Sequence, residues 1–282
     1  MTTPTPRELF AVFEPLHVVT YFAPQAREAT EAAGLRGYWR GYFAGRAAAL
    51  GRAPATTVTA LFHGFAPAVV ERAIPSVWDL CAPEDALRAR LAGAVAALRA
   101  LDLDAASVAE AAELASQAAR SADHGGRALG AAEAAQPWPV DPLARLWRAA
   151  TVLREVRGDG HVAALVAAEL SGLDALALRA GRDLERAPLQ AARGWSDAQW
   201  DAAVAGLQAR ALLDADARTT EAGTTLLDGV EATTDRLAAQ PWRVVGEAGA
   251  ARFRALAGPL AAAALAAYPG AAAMGLAPRA GG

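Results

Sequence analysis

Arg157-Gly-Asp-Gly-His161 is the stretch of this sequence whose residue types and spacing best suit chemistry. An aspartate two residues before a histidine, set between glycines, reads as a helix cap followed by an imidazole in the first turn of the capped helix. There the helix dipole disfavours the imidazolium and keeps the ring neutral, able to take a proton or hold a ligand. His161 is then a candidate general base and Asp159 the cap of its helix, with Arg157 among the arginines that could hold an anion. The competing reading is structural, an aspartate cap beside a histidine that only packs.

A second constellation surrounds Gly34-Leu-Arg-Gly-Tyr-Trp-Arg-Gly-Tyr-Phe-Ala-Gly-Arg46. Read as one helix, it sets Gly37, Gly41 and Gly45 in a row, with Tyr38, Tyr42 and Arg46 on a neighbouring row and Trp39 and Phe43 on a third. Each interior glycine costs a helix about 1 kcal/mol relative to alanine, so the row implies that something presses closely on it, another helix backbone or a ligand. His17, Tyr21, Tyr38, Trp39, Arg40, Tyr42 and Arg46 then form a polar-aromatic wall for a ligand. His63, flanked by Phe62 and Phe65, reads as a core residue or a further ligand contact, and His124 as an exposed loop residue.

The elements that position these residues are mainly helices, because segments of Ala, Leu, Arg and Glu with helical spacing dominate and β-branched runs are scarce. A first helix is expected from Arg7 to Phe13, interrupted by Pro15. Another covers Glu84 to Ala100. Gln136-Pro-Trp-Pro-Val-Asp-Pro142 is a stiff connector, since three prolines cannot continue a helix. After it are expected a helix from Pro142 to Val156, a turn at Arg157–Gly160, and a helix from His161 to Leu170. Ser171-Gly172 makes a tight turn before Leu173 to Leu184. Ser196 and Gln199 form a capping box for a further helix. A short polar excursion at 213–220 precedes a long helix from Glu221 to Ala239.

That order is the order of a winged helix, with the helix-turn-helix at His161 to Leu184. Gln208-Ala-Arg-Ala-Leu-Leu-Asp214 followed by Arg218-Thr-Thr-Glu-Ala-Gly223 is similar to MarR-like modules, although Asp-Ala-Asp-Ala replaces their glycine-rich wing tip. Shifting the sequence by 108 residues lays Trp39-Arg40 on Trp147-Arg148 and Gly64 on Gly172, which suggests an internal repeat. The predicted fold is therefore mainly α, with two winged-helix-like lobes and a short β wing at most. Their expected bounds are 7–100 and 142–240, joined by a helical linker over 101–141 and followed by a C-terminal helix and tail over 241–282. The chain resembles an actinobacterial helix-turn-helix-like family over residues 9 to 260. Leu35–Arg46, Arg157–His161 and Arg193-Gly-Trp-Ser196 carry that resemblance, which implies a fold and no activity.

Composition excludes several functions. The chain has no lysine, so no Schiff base, lysine-anchored pyridoxal phosphate or Walker A lysine is possible. The four histidines are far apart in sequence and the single cysteine, Cys81, forms no Cys-x-x-Cys, so no local metal signature appears and no cofactor is indicated. A formal net charge of −3 gives no general attraction to nucleic acid or anionic membrane, and the lone cysteine suits a reducing cytoplasm. The N-terminus lacks a signal peptide, and the apolar run at 260–267 is too short to span a bilayer. The expected recognition helix, Leu173 to Leu184, is mostly apolar, with its arginines offset by acidic residues, so DNA is an improbable partner. Together these residues predict a small-molecule binding or sensing protein with an inter-lobe pocket for an aromatic or anionic ligand. The alternatives are an enzyme using His161 in the same cleft and a DNA-binding regulator.

Overall fold

The computed structural model describes residues 3–269. They fold almost wholly as helices, and the antiparallel bridge between Leu213 and Thr219 is the sole strand-like pairing among them. In chain order the helices are α1 (Pro6–Phe22), α2 (Pro24–Ala32), α3 (Tyr38–Ala47), α4 (Ala55–Leu61), α5 (Pro67–Glu71), α6 (Val77–Leu80), α7 (Pro83–Arg99), α8 (Ala105–Arg120) and α9 (Ala128–Ala134). They continue as α10 (Pro142–Ala167), α11 (Gly172–Arg182), α12 (Arg186–Arg193), α13 (Asp197–Ala209), α14 (Glu221–Ala238) and α15 (Gly246–Ala267). The fold is mainly α, with a wing reduced to that one bridge.

Two compact units interleave along the sequence, one of residues 3–52, 76–159 and 235–269, the other of 53–75 and 160–234. These units cut across the bounds read from sequence. Residues 53–75, expected in a first lobe, pack with 160–234, while α8 and α9, expected as linker, belong to the first unit's core. The tail expected after residue 269 lies outside the described residues. Trp39 and Trp147, aligned by the 108-residue shift, do not share an environment, since Trp39 is exposed and Trp147 fully buried.

Three local readings change for physical reasons. Pro15 does not break α1, which runs through it. One lost backbone bond is tolerated because Phe13, Pro15, Leu16 and Val19 on either side are buried. Gly158 and Gly160 do not end a helix, so α10 is continuous where a turn was expected. α12 was not foreseen, and it holds Pro188. That proline sits in the first turn of α12, where the backbone N–H has no intrahelical partner to lose.

The first unit's core joins Leu9, Phe13 and Leu16 of α1 to Leu98, to the alanine face of α8, and to Trp147, Leu153 and Phe253. Small residues set its closest helix contact. A Cβ at Gly93 of α7 would lie 2.7 Å from the Ala26 Cα of α2. Gly93→Ala should therefore destabilise the protein by about 1–3 kcal/mol through overpacking. Gly206→Ala in α13, where an added methyl meets nothing within 4 Å, should stabilise by about 0.5–1 kcal/mol. Urea unfolding of both variants checks this, and equal effects would show that α2 and α7 are not tightly apposed.

Candidate functional site

Within the first unit a cavity of about 310 Å³ lies among α1, α2, α3 and α7. Tyr21, Tyr38 and Tyr42 form much of its wall, together with Gly41, Gly45 and Arg90, while exposed Arg27 and Glu31 also line it. Ring centroids lie 5.0 Å apart for Tyr21 and Tyr42 and 6.0 Å for Tyr38 and Tyr42, the latter pair stacked. α3 begins at Tyr38, so Gly37 is its N-cap, with φ +91, and only Gly41 and Gly45 of the glycine row are helical. A Cβ would lie 3.3 Å from Thr30 Oγ1 at Gly41 and 3.3 Å from Arg90 Cδ at Gly45. Side chains therefore press on the row, and no helix backbone does.

Two buried ionic groups stand behind the wall. Glu133, fully buried, accepts from Arg90 Nη2 at 2.5 Å through one oxygen and from Arg148 Nη1 at 2.8 Å through the other. Arg90 also donates to the Gly45 carbonyl at 2.6 Å, and its guanidinium lies over the Trp147 ring at 5.2 Å. Arg90 Nε is buried with no hydrogen-bond partner. Two guanidiniums share one carboxylate, so this triad carries one uncompensated positive charge. The other group balances. Arg46 and Arg154 reach Glu155 at 3.0 and 2.7 Å, and Arg154 reaches Glu14 at 3.2 Å. Burial alone would push Glu155 up, but Arg154 and Arg46 hold it well below the usual carboxylate range, whereas burial keeps Glu14 raised.

His17 is fully buried behind Tyr21, with Nε2 3.0 Å from the Tyr21 hydroxyl and Nδ1 3.0 Å from Thr151 Oγ1. Burial and the Arg154 charge hold its pKa well below the ordinary histidine value. The sequence-predicted residues thus divide. His17, Tyr21, Tyr42 and Arg46 meet at the wall or directly behind it, and Tyr38 lines it. Trp39 packs on Phe43 with centroids 5.8 Å apart, and Arg40 is exposed; neither lines the cavity. Arg157 pairs with Asp235 at 3.4 Å and lies over Phe10 at 4.4 Å. His63 belongs to the second unit, with Nε2 3.4 Å from the Leu170 carbonyl.

The expected Asp159 cap with His161 in the first turn after it is corrected by the continuity of α10. Asp159 does not cap a helix starting after it, and His161 sits in the interior of α10, not in a first turn. Asp159 instead accepts from the Gly130 N–H at 2.9 Å and from Leu129, capping α9. His161 faces Thr234 Oγ1 at 2.9 Å, with Glu231 at 3.7 Å. The cavity described above is lined by residues of the first unit alone. Arg90, Glu133, Arg148, Thr151, Arg154 and Glu155 were missed. For Arg148, Thr151 and Glu155 a signal was present, since with Asp159 they fall on one polar row of α10; Arg90 and Glu133 lie on other helices and had none.

In the second unit, α12 ends at Gly194 in the left-handed region, φ +73, and Ser196 caps α13 with Gln199 completing the box. The end of α10 and α11 meet at 92° across a short turn capped by Ser171, so the helix-turn-helix expected at His161 to Leu184 has the geometry of that motif, and α12 and α13 form a further helix pair, joined by a three-residue, glycine-containing turn, ahead of the Leu213–Thr219 bridge. A Cβ on Gly194 would meet Val69 Cγ2, so α5 packs against the turn. The exposed residues of α13 include Asp197, Ala198, Gln199, Asp201, Ala202 and Ala205, with the Gln199 side chain engaged in the capping box, and the helix holds no cation. Arg186 is paired with Asp201 at 2.8 Å, Arg179 with Asp183 at 2.7 Å and Arg182 with Asp228 at 2.8 Å. The unit as a whole carries seven arginines against twelve acidic residues. No single helix among the described residues is long and apolar enough to cross a membrane.

A family model described as a helix-turn-helix family matches residues 6–273, nearly the whole chain, and the protein belongs to that family. No curated protein and no solved structure matches it.

Two consequences of the buried charges are measurable. Glu133→Gln removes the one carboxylate shared by Arg90 and Arg148 and should cost about 3–5 kcal/mol in urea unfolding; a loss below 1 kcal/mol would mean that solvent reaches the triad. Burial raises the Asp159 carboxyl from 3.8 to about 6. Its contribution to stability is then complete below pH 3.8 and lost as the pH rises to about 6. The melting temperature of Asp159→Asn, relative to the parent, should therefore improve as the pH goes from 4 to 7, and a pH-independent difference would refute the shift.

Proposed function

We propose that this helix-turn-helix protein binds a small, planar, anionic molecule in the cavity of its first unit. The observation that carries this is the composition of the wall. Three tyrosine rings offer flat apolar area with polar edges, and Arg90 brings the positive charge of a triad with one carboxylate too few. A desolvated cation in excess attracts an anion, and aromatic walls select a ring. At about 310 Å³ the cavity is at the small end of the range for such sites, which suits one ring with an acidic substituent. The protein would act in the cytoplasm, where buried Cys81 stays reduced.

A regulator that binds DNA is the second reading, favoured by the α10–α11 geometry and the family. Its electrostatics oppose it. Phosphate contacts supply most of the affinity for duplex DNA, and α13 brings two aspartates, two glutamines and no cation. The enzyme reading with His161 as base is weaker still, since His161 lines no part of the cavity and belongs to the other unit.

Titration calorimetry with benzoate and phenylacetate tests the proposal. Both should bind the protein at millimolar concentration or below. Gly41→Leu, whose side chain must push Thr30 aside at the cavity wall, should weaken binding by at least about tenfold, the equivalent of about 1.4 kcal/mol, with circular dichroism and urea unfolding checking that the variant is folded. Binding unchanged by Gly41→Leu would place the site elsewhere. Tight, salt-dependent binding to duplex DNA would restore the regulator.

A further inference from the structure

The cavity reading leaves open which functional groups its occupant carries, and the hydrogen bonds behind Tyr21 restrict them. Thr151 Oγ1 lies 2.9 Å from the Trp147 carbonyl, four residues back on α10. A carbonyl only accepts, so the one Thr151 hydroxyl proton is spent there. The 3.0 Å contact between Thr151 Oγ1 and His17 Nδ1 then requires Nδ1 to be the donor. A neutral imidazole with its proton on Nδ1 has a bare Nε2, and the 3.0 Å contact from Nε2 to the Tyr21 hydroxyl requires Tyr21 to donate. Each link is forced by the one before it.

The ring has little freedom to escape this arrangement. His17 is stacked on Trp147 with centroids 5.7 Å apart and planes 13° from parallel, and the Trp147 indole N–H donates to the His17 carbonyl. Nor can the ring readily take a second proton. It is fully buried, and Arg154, Arg90 and Arg46 all act against its charge, with Glu155 alone opposing them. This also argues against the dyad as an acid–base catalyst: a histidine that stays neutral beside three guanidiniums is a poor destination for a proton. His17 and Thr151 are positioning residues, and Tyr21 is the member of the chain that lines the cavity.

We infer that the occupant of the cavity presents a hydrogen-bond donor, a hydroxyl or an N–H, to the Tyr21 oxygen, because the Thr151–His17–Tyr21 chain commits the Tyr21 proton inward and leaves that oxygen only as an acceptor. This inference rests on the cavity being the binding site and narrows the ligand class to aromatic anions with a hydroxyl or amine substituent. An ether or a second carboxylate at the same place would set acceptor against acceptor, leaving a buried oxygen without a partner.

Calorimetry with the three hydroxybenzoates, their methoxy counterparts and benzoate tests it on the intact protein. At least one hydroxybenzoate should bind about tenfold more tightly than its methoxy analogue, and in Tyr21→Phe that ratio should fall to about one. If benzoate binds but no hydroxyl improves on its methoxy partner, this inference fails and the cavity reading stands. If no member of the set binds, the cavity reading fails and the inference falls with it. A ligand-independent measurement checks the chain itself. Nitrogen-15 chemical shifts of His17 should show a protonated Nδ1 and a bare Nε2 between about pH 5 and 8; the opposite tautomer, or a charged ring, would overturn it.

Discussion

The first unit is organised by the need to neutralise buried guanidiniums. Arg46, Arg90 and Arg148 are each less than a tenth exposed, and an unpaired charge in such a place costs several kcal/mol. Glu133 pairs with two of them by giving one oxygen to each, leaving one positive charge over, and this geometry fixes α9 against both α7 and α10. Glu155 likewise gives one oxygen each to Arg46 and Arg154 and ties α3 to α10. Arginine suits this role better than lysine would, because its planar fork can reach a carboxylate and a backbone carbonyl at once, as Arg90 does. Ion pairs of this kind add little net stability over a well-packed apolar core. What they supply here is register, since slipping any of these helices by a turn would strand a charge.

The cavity follows from that arrangement. Arg90 lies beside Gly45, which can carry no side chain without Arg90 giving way, and at Gly41 Thr30 occupies the space a side chain would use. With no side chains at those two positions, the wall falls to the tyrosines on either side. Tyr42 is held by the Arg46 guanidinium at 3.2 Å and Tyr21 by His17, so the polar ends of both rings are anchored in the ionic layer. The pocket and the charge network are one construction, and the same residues that satisfy the buried charges set the orientation of the wall.

Much of this was legible in sequence wherever the determining interactions are local. The Ser196–Gln199 capping box, the α8 and α14 bounds and the clustering of aromatics beside a glycine row were read correctly because their causes lie within a few residues. What failed was decided at long range. Asp159 was seen to be a cap, but the helix it caps starts about thirty residues earlier, and nothing local says so. The interleaving of 53–75 with 160–234 depends on contacts such as that of Gly172 with the His63 carbonyl, which couple residues more than a hundred positions apart. The polar stripe at 148, 151, 155 and 159 was the one missed signal that periodicity could have revealed.

The second unit shows why a helix-turn-helix does not by itself define a ligand. The geometry of its helix pairs asks only for a short turn, a cap on the second helix such as Ser171 or Ser196, and buried apolar residues such as Trp200 and Leu207, and these are all present. Reading DNA asks for something separate: cations on the outer face, since neutralising phosphates supplies most of the binding energy. Here the exposed residues of α13 include aspartates, alanines and Gln199, and Arg179, Arg182 and Arg186 are engaged by Asp183, Asp228 and Asp201. Releasing these three to phosphates would leave those carboxylates near the polyanion, so each such ion pair would bring a repulsion with it. The residues that build the scaffold and the surface charge that DNA reading asks for are thus set separately.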